Sequence, residues 1–208
     1  MALVNGYVPL SDLKEAVGDD SGLDNSRYEA SIGAASRQID IWLDPAGSRH
    51  FWKTTSPVVR VFFPFNRYLL LPGFIANTTG LVVKTDDDGD GVFEATWTVG
   101  TDYQAQRLNV VDGPFARLVA VGAKGFPVNG RRQSVEVTTS EWGCDTIPDL
   151  GRQAAQILSI ALYKSKDFTG GDIGFQTLEN AGAWSVYDLA RSLVEPYQLI
   201  PTPARATA

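Results

Sequence analysis

The sequence has one cysteine and one histidine among its 208 residues. Because Cys144 has no partner, no disulfide can form within the chain, and we expect a reducing compartment. Because His50 is alone, no pair of histidines can hold zinc. A catalytic Cys–His pair would have to use these two residues, and neither lies in a recognisable nucleophile motif. We therefore expect a buried cysteine, a surface histidine and no enzymatic activity.

Long apolar runs and an excess of basic residues are also lacking. The longest apolar run, 68–71, is far shorter than the ~20 residues that span a bilayer, so we expect no membrane partner. The amino terminus does not have the pattern of a signal peptide. Eighteen basic and 24 acidic residues give a net charge of −6. Proteins that bind nucleic acid through its phosphates usually have the opposite charge, so we expect no specific DNA binding.

The residues that are present are typical of a globular protein, with 44% hydrophobic and 20% charged side chains. The first region, 1–56, has the three-and-four spacing of helices. Ser11 can cap a short helix that ends at Gly18. A second helix is predicted over 25–43. Its apolar face consists of Tyr28, Ile32, Ala35, Ile39 and Trp42.

The middle region, 57–140, changes to the pattern of strands. Short runs rich in β-branched and aromatic residues alternate with glycine, proline, asparagine and aspartate. The runs are 58–63, 80–84, 92–99, 117–121 and 134–139. This pattern predicts a small, mostly antiparallel β domain of about five or six strands.

The last region, 141–200, returns to helices. One helix is predicted over 148–165, and a final helix is limited by Pro196. A glycine-rich loop, 167–183, lies between them, and 201–208 is expected to be a flexible tail. The fold class predicted from the whole pattern is α+β. A small bundle of about four helices would contain an antiparallel β domain inserted between its second and third helices.

An acidic segment in the β region resembles part of a calcium-binding loop. Asp86, Asp88, Asp90 and Gly91 occupy positions one, three, five and six of such a loop. Position twelve, which usually supplies a bidentate carboxylate, is Trp97. Since aspartate and glycine also favour tight turns, we interpret the segment as a polar hairpin turn. A weak calcium site is the alternative, and no other cofactor is expected.

Several short motifs follow one another in a distinctive order. They are 7–14 (YVPLSDLK), 34–40 (AASRQID), 50–52 (HFW), 135–138 (VEVT), 142–143 (WG), 147–148 (IP), 161–164 (ALYK) and 193–197 (LVEPY). Each motif is weak alone, but their order resembles that of the head–tail connector proteins of long-tailed phages, also called head-completion or adaptor proteins. The resemblance covers nearly the whole chain.

The resemblance implies a structural protein of the virion neck, assembled in the host cytoplasm. Members of this family form a homo-oligomeric ring, usually a dodecamer, below the portal protein. The ring extends the DNA channel and provides a docking surface for the next neck or tail protein. Genomic DNA would pass through the channel without specific binding. The alternatives are another neck component, such as a tail terminator, or a calcium-dependent binding module built on the β domain.

The glycine-rich loop is the segment that we expect to reach a neighbouring copy, because long loops without internal structure are often functional. Within and beside it, the candidate interface residues are Gly170, Gly171, Asp172, Gly174, Phe175 and Trp184. Other candidate anchors are the aromatic run 62–65 and the remaining tryptophans, since aromatic residues dominate binding hot spots. The alternatives are a plain surface loop and ordinary core packing.

Overall fold

A computed structural model describes residues 5–19, 22–44, 48–108, 113–128, 133–165 and 184–198. Over these ranges, the chain forms four α helices and seven β strands. It divides into two compact units, a helical unit of residues 1–47 and 147–208 and a β unit of residues 48–146. The antiparallel strands lie between the second and third helices, which confirms the predicted α+β class. No described helix has both the length and the hydropathy needed to cross a membrane.

The helical unit is built from four helices and a short 3-10 turn. They are α1 (Leu10–Val17), α2 (Asn25–Leu43), α3 (Asp149–Lys164), α4 (Trp184–Val194) and the turn Glu195–Tyr197. Gly18 ends α1 in a left-handed conformation (φ 76°), as the sequence predicts. The prediction that Ser11 caps α1 is wrong. Pro9 precedes the first helical residue, and the Ser11 hydroxyl donates to Asp12 instead.

The predicted apolar face of α2 forms part of the helical core. Tyr28, Ile32, Ala35 and Ile39 are all buried, whereas Trp42 is half-buried. These residues repeat every three or four positions, so they lie on one side of the helix. Their burial follows directly from the sequence pattern.

Aromatic contacts connect α2 with its neighbours. The ring of Tyr28 stacks on Tyr163 of α3 at a centroid distance of 4.1 Å. The Trp42 indole donates to the hydroxyl of Tyr187 in α4 (3.1 Å), and the two rings pack edge to face. Both contacts join residues more than 100 positions apart, so they connect α2 with each of the two carboxy-terminal helices.

The β unit contains two antiparallel sheets. Its strands are β1 (Val58–Phe62), β2 (Leu69–Leu70), β3 (Val82–Thr85), β4 (Ala95–Trp97), β5 (Tyr103–Arg107), β6 (Phe115–Ala120) and β7 (Val135–Thr139). One sheet has the order β1-β7-β3-β4 and the other has the order β2-β6-β5. The sequence did not reveal β2 or β5, because β2 has two residues and β5 is mostly polar.

The buried core of the β unit draws side chains from both of its sheets. Its buried residues are Leu70, Ile75, Val83, Trp97, Tyr103, Leu118, Phe126, Val135, Val137 and Trp142. Tyr103 brings a hydroxyl group into this largely apolar core. Its hydroxyl is buried and has no hydrogen bond among the described residues, and burial raises its pKa to about 12.

Replacing Tyr103 with phenylalanine is expected to leave the free energy of unfolding unchanged or to raise it by about 1 kcal/mol. The substitution removes a buried hydroxyl that has no partner, and such a group destabilises the folded state. Urea unfolding followed by near-ultraviolet circular dichroism would measure the effect. Tyr28→Phe is the matched control, because it removes a hydroxyl that donates to Asp19 (3.0 Å) and is expected to be destabilising. A loss above about 1 kcal/mol for Tyr103→Phe would contradict this prediction.

Candidate functional site

The acidic segment 86–94 connects β3 to β4, which pair as an antiparallel hairpin. Asp86 is fully buried at the start of this connection. Its carboxylate accepts hydrogen bonds from the backbone N–H groups of Gly89 (2.7 Å) and Gly91 (2.9 Å). The buried charge is therefore stabilised by the turn that it organises.

The other aspartates of the segment also bind their own backbone. Asp88 accepts from the N–H of Asp90 (3.1 Å), and Asp90 accepts from the N–H of Val92 (2.7 Å). Gly89 and Gly91 have positive φ angles of 82° and 96°. Glycine adopts such angles without steric cost, so the alternation of aspartate and glycine is suited to this tight connection.

The carboxylates that lie close together differ from the predicted set. Oxygens of Asp86, Asp90 and Glu94 lie within 4.8 Å of one another, and Asp88 is not part of this cluster. Trp97, at the twelfth position, is buried and donates to the hydroxyl of Thr85 (3.0 Å). Calcium usually takes six to eight oxygen ligands, and this cluster supplies three carboxylates. A weak calcium site therefore stays the alternative to a hairpin turn.

Replacing Asp86 with alanine is expected to lower the free energy of unfolding by about 3 kcal/mol. The change leaves the N–H groups of Gly89 and Gly91 without their acceptor, and hydrogen bonds to charged groups contribute about 1.5–3 kcal/mol each. Urea unfolding would measure the loss. Asp88→Ala is the matched control, because Asp88 is exposed and should cost less than about 1 kcal/mol.

The effect of added calcium distinguishes a plain hairpin turn from a metal site in the segment 86–94. If the segment is only a turn, about 1 mM calcium should neither release heat in calorimetry nor shift the urea midpoint of the wild type. A midpoint shift that Asp86→Ala abolishes would contradict this expectation and support the metal site.

His50 and Cys144 are both buried in the β unit. The prediction of a surface histidine is wrong, and the prediction of a buried cysteine is correct. His50 is held through both ring nitrogens, with Nδ1 2.7 Å from the carbonyl oxygen of Trp52 and Nε2 3.1 Å from the guanidinium of Arg60. Burial raises the pKa of the Cys144 thiol to about 12. A thiol with this pKa is a poor nucleophile at neutral pH.

Asp40, in the helical unit, is a carboxyl group whose pKa is shifted towards neutrality. Its carboxylate accepts a short hydrogen bond from the hydroxyl of Tyr7 and lies 3.1 Å from Nε of Arg37. Burial raises its pKa to about 6, although the Tyr7 bond and the Arg37 charge act in the opposite direction. The backbone N–H of Tyr7 also donates to the hydroxyl of Ser36 (3.0 Å). These contacts attach the segment before α1 to α2.

The raised pKa predicts that Asp40 makes folding depend on pH. Its contribution to stability is fully present below about pH 4 and is lost as the pH rises through about 6. Relative to the wild type, Asp40→Asn should therefore gain up to about 3 kcal/mol between pH 4 and pH 7. Urea unfolding followed by helical circular dichroism at several pH values would measure this difference.

Asp145 provides a control of opposite sign for the Asp40 measurement. Its pKa is lowered, first by the hydrogen bond from Lys53 (2.7 Å). Any change in the free energy of unfolding with pH that Asp145→Asn causes, relative to the wild type, must therefore have the opposite sign. A constant difference between Asp40→Asn and the wild type across the range would contradict the prediction.

Exposed apolar side chains are concentrated on and just after β1. Val59, Val61, Phe63 and Phe65 are all exposed, with exposed fractions of 56%, 37%, 58% and 63%. They occur at every second position, so those of the strand project from one face of the sheet. The sequence identified the aromatic run 62–65 as a candidate anchor, but only the structure shows which members are exposed.

Of the predicted interface residues, only Trp184 belongs to the part of the chain that the structure describes. Gly170, Gly171, Asp172, Gly174 and Phe175 lie outside the described residues. Trp184 is the first residue of α4. Of the other tryptophans, Trp97 and Trp142 are buried in the β core, so the alternative of core packing holds for these two.

Neither protein-family models nor curated proteins match this sequence. Solved structures match its fold. A chain from the virion of a native gene transfer agent (GTA) particle covers 98% of this chain and 95% of its own length, with a TM-score of 0.52 and 15% identity. A chain from the neck of an empty GTA particle, computed with C6 symmetry, has the same coverage, a TM-score of 0.53 and 14% identity. At these identities, the likeness establishes a shared fold over nearly the whole chain.

Proposed function

We propose that this chain is a structural subunit of the neck of a tailed phage or phage-like particle. The observation that carries the proposal is the likeness to a chain from the neck of an empty GTA particle, which extends over 98% of this chain. The order of short sequence motifs supports it separately, because that order resembles head–tail connector proteins. One argument uses backbone geometry and the other uses residue identity, and both lead to the same part of a virion.

Within the neck, we assign the chain the role of head–tail connector. It forms a ring below the portal protein, extends the DNA channel and offers a docking surface to the next neck or tail protein. The C6 symmetry of the similar neck structure supports a closed ring of six copies or a multiple of six. A closed ring requires one heterologous contact, repeated between all neighbours. The segment 167–183 with Trp184 remains one proposed contributor to that contact.

The proposed role does not require catalysis. His50 and Cys144, the candidates for nucleophilic chemistry, are buried, and His50 is held by Trp52 and Arg60. The aspartates of the acidic turn bind their own backbone. These arrangements support a protein that acts through its surfaces.

Negative-stain electron microscopy of the purified protein, alone and mixed with the cognate portal, would test the proposal. We expect rings that stack coaxially on the portal. If the protein neither forms rings nor binds the portal, the connector role is wrong. Binding to the end of a tail tube in place of the portal would favour a tail terminator. Calcium-dependent binding of a ligand without ring formation would favour the binding module.

A further inference from the structure

The acidic and basic residues are divided unequally between the two units. The helical unit has 14 acidic and eight basic residues, whereas the β unit has ten of each. The helical unit therefore carries the whole net charge of −6. Two identical helical units repel each other, so a contact between two copies is electrostatically favoured when it joins unlike units.

The exposed apolar residues of β1 lie in the least acidic part of the β unit. Between Asp44 and Asp86 the sequence has no acidic residue. In the same interval it has five basic residues, Arg49, Lys53, Arg60, Arg67 and Lys84. Glu136, which lies opposite Val61 on β7, is 3.8 Å from Lys84 and is therefore locally balanced. We call Val59, Val61, Phe63 and Phe65 the β1 stripe.

β1, which carries part of the β1 stripe, lies at the edge of its sheet. Among the described strands, β1 pairs only with β7, so one side of the strand is open. An exposed, apolar edge strand favours association with another chain and is usually protected in a monomer. On the exposed face of the sheet, Val59 lies opposite Thr138 and Val61 lies opposite Glu136, whose charge is paired with Lys84.

The helical unit, which carries the net negative charge, also exposes apolar side chains. Its exposed large hydrophobic residues, within the described ranges, are Leu23, Ile41 and Leu189, with exposed fractions of 91%, 53% and 53%. Each is adjacent in sequence to an aspartate. The aspartates are Asp24, Asp40 and Asp188, respectively. Apolar residues with acidic neighbours complement apolar residues in an acid-free segment.

We infer that the β1 stripe of one copy packs against the acidic helical unit of the next copy around the ring. The inference rests on the proposed function, because it assigns a surface to the contact between neighbouring connector subunits. The contact is heterologous, since two different surfaces meet, and this is the kind of contact that can close into a ring. Apolar burial supplies the attraction, and the unequal charge of the two units sets the orientation.

Cysteine cross-linking between mixed copies tests the orientation. Full-length Val59→Cys protein is mixed with a Leu23→Cys, Ile41→Cys or Leu189→Cys protein, under the conditions in which the wild type forms rings. At least one mixture should give disulfide-linked dimers after mild oxidation, and Val59→Cys alone should give none. Cys144 can remain, because it is buried. Val92→Cys is the matched control, because Val92 has a similar exposed fraction, 59%, and lies in the acidic turn.

Dimers from Val59→Cys alone would show that two β1 strands meet, which would overturn the inference. The inference also fails if no mixture gives dimers, or if Val92→Cys gives the same yield as Val59→Cys. Cross-links to the portal in place of a second copy would assign the surface to that partner and overturn the inference as well.

Charged substitutions at Val59 test whether charge complementarity contributes to the proposed contact between copies. Val59→Asp should raise the protein concentration needed for ring formation at least tenfold, and Val59→Lys should raise it less, because the receiving surface is acidic. Both variants should keep the wild-type circular dichroism spectrum, since Val59 is exposed. Equal effects of the two substitutions would overturn the charge complementarity.

The same experiments separate this inference from the proposed function. If the wild type forms rings and both Val59 variants assemble as the wild type does, the inference fails and the connector role stands. If the wild type forms no ring with or without the portal, both are wrong.

Discussion

Replacing Gly143 with alanine is expected to destabilise the β unit by more than about 3 kcal/mol. Gly143 is buried and has a φ of +108°, which L residues with a side chain rarely adopt. An added Cβ would overlap the carbonyl oxygen of Trp52 and lie 2.7 Å from the carbonyl carbon of the same residue. The backbone cannot simply move away, because the N–H of Gly143 donates to the carbonyl oxygen of Phe74 (2.8 Å).

Gly122→Ala separates the conformational cost of a positive φ from the steric overlap with Trp52. Gly122 also has a positive φ, +65°, but nothing lies within 4 Å of the added Cβ. The control should therefore lose only the conformational cost, about 1–2 kcal/mol. Urea unfolding of both variants gives the comparison. Equal losses would show that the close approach of Trp52 has no energetic consequence.

Replacing Trp142 with alanine is expected to lower the free energy of unfolding by about 4–5 kcal/mol. The side chain is fully buried, and its indole N–H donates to the carbonyl oxygen of Val58 (2.9 Å). The guanidinium of Arg60 lies 4.3 Å from the centre of its ring. Because Val58 and Arg60 belong to β1, Trp142 supports the strand that carries the β1 stripe.

Phe63→Ala is the control that distinguishes stability from assembly. Phe63 is exposed, so its loss should change the free energy of unfolding by less than about 0.5 kcal/mol. Trp142→Ala should reduce both folding stability and ring formation, whereas Phe63→Ala should reduce ring formation alone. A loss below about 2 kcal/mol for Trp142→Ala would mean that the core repacks around the missing indole.

The helices and most strands could be predicted because their signals are local. The burial of Tyr28, Ile32, Ala35 and Ile39 follows from their three-and-four spacing, which requires only the geometry of a helix. The strand β5, Tyr103–Arg107, was missed because its local signal is weak. Only Tyr103 and Ala105 alternate with its polar residues, which is too short a pattern to predict a strand, and the segment forms one because β6 offers backbone partners.

Local sequence patterns predicted the acidic turn but not which of its carboxylates lie together. The alternation of aspartate and glycine correctly indicated a turn between two strands. The sequence spacing grouped Asp88 with Asp86 and Asp90, whereas Glu94 is the residue that lies near them. The path of the backbone decides which carboxylates meet, and the hydrogen bond from Asp90 to the oxygen of Asp88 is part of that path.

The sequence by itself determined the α+β class, the insertion of the strands between the second and third helices, and the buried cysteine. Each of these depends on periodicity or on the chemistry of single residues. Only the tertiary structure decided that β1 is an edge strand next to β7, that His50 is buried, and that Phe63 is exposed. These features depend on contacts between residues far apart in the chain, and the energy of such contacts is set by packing, which no local pattern records.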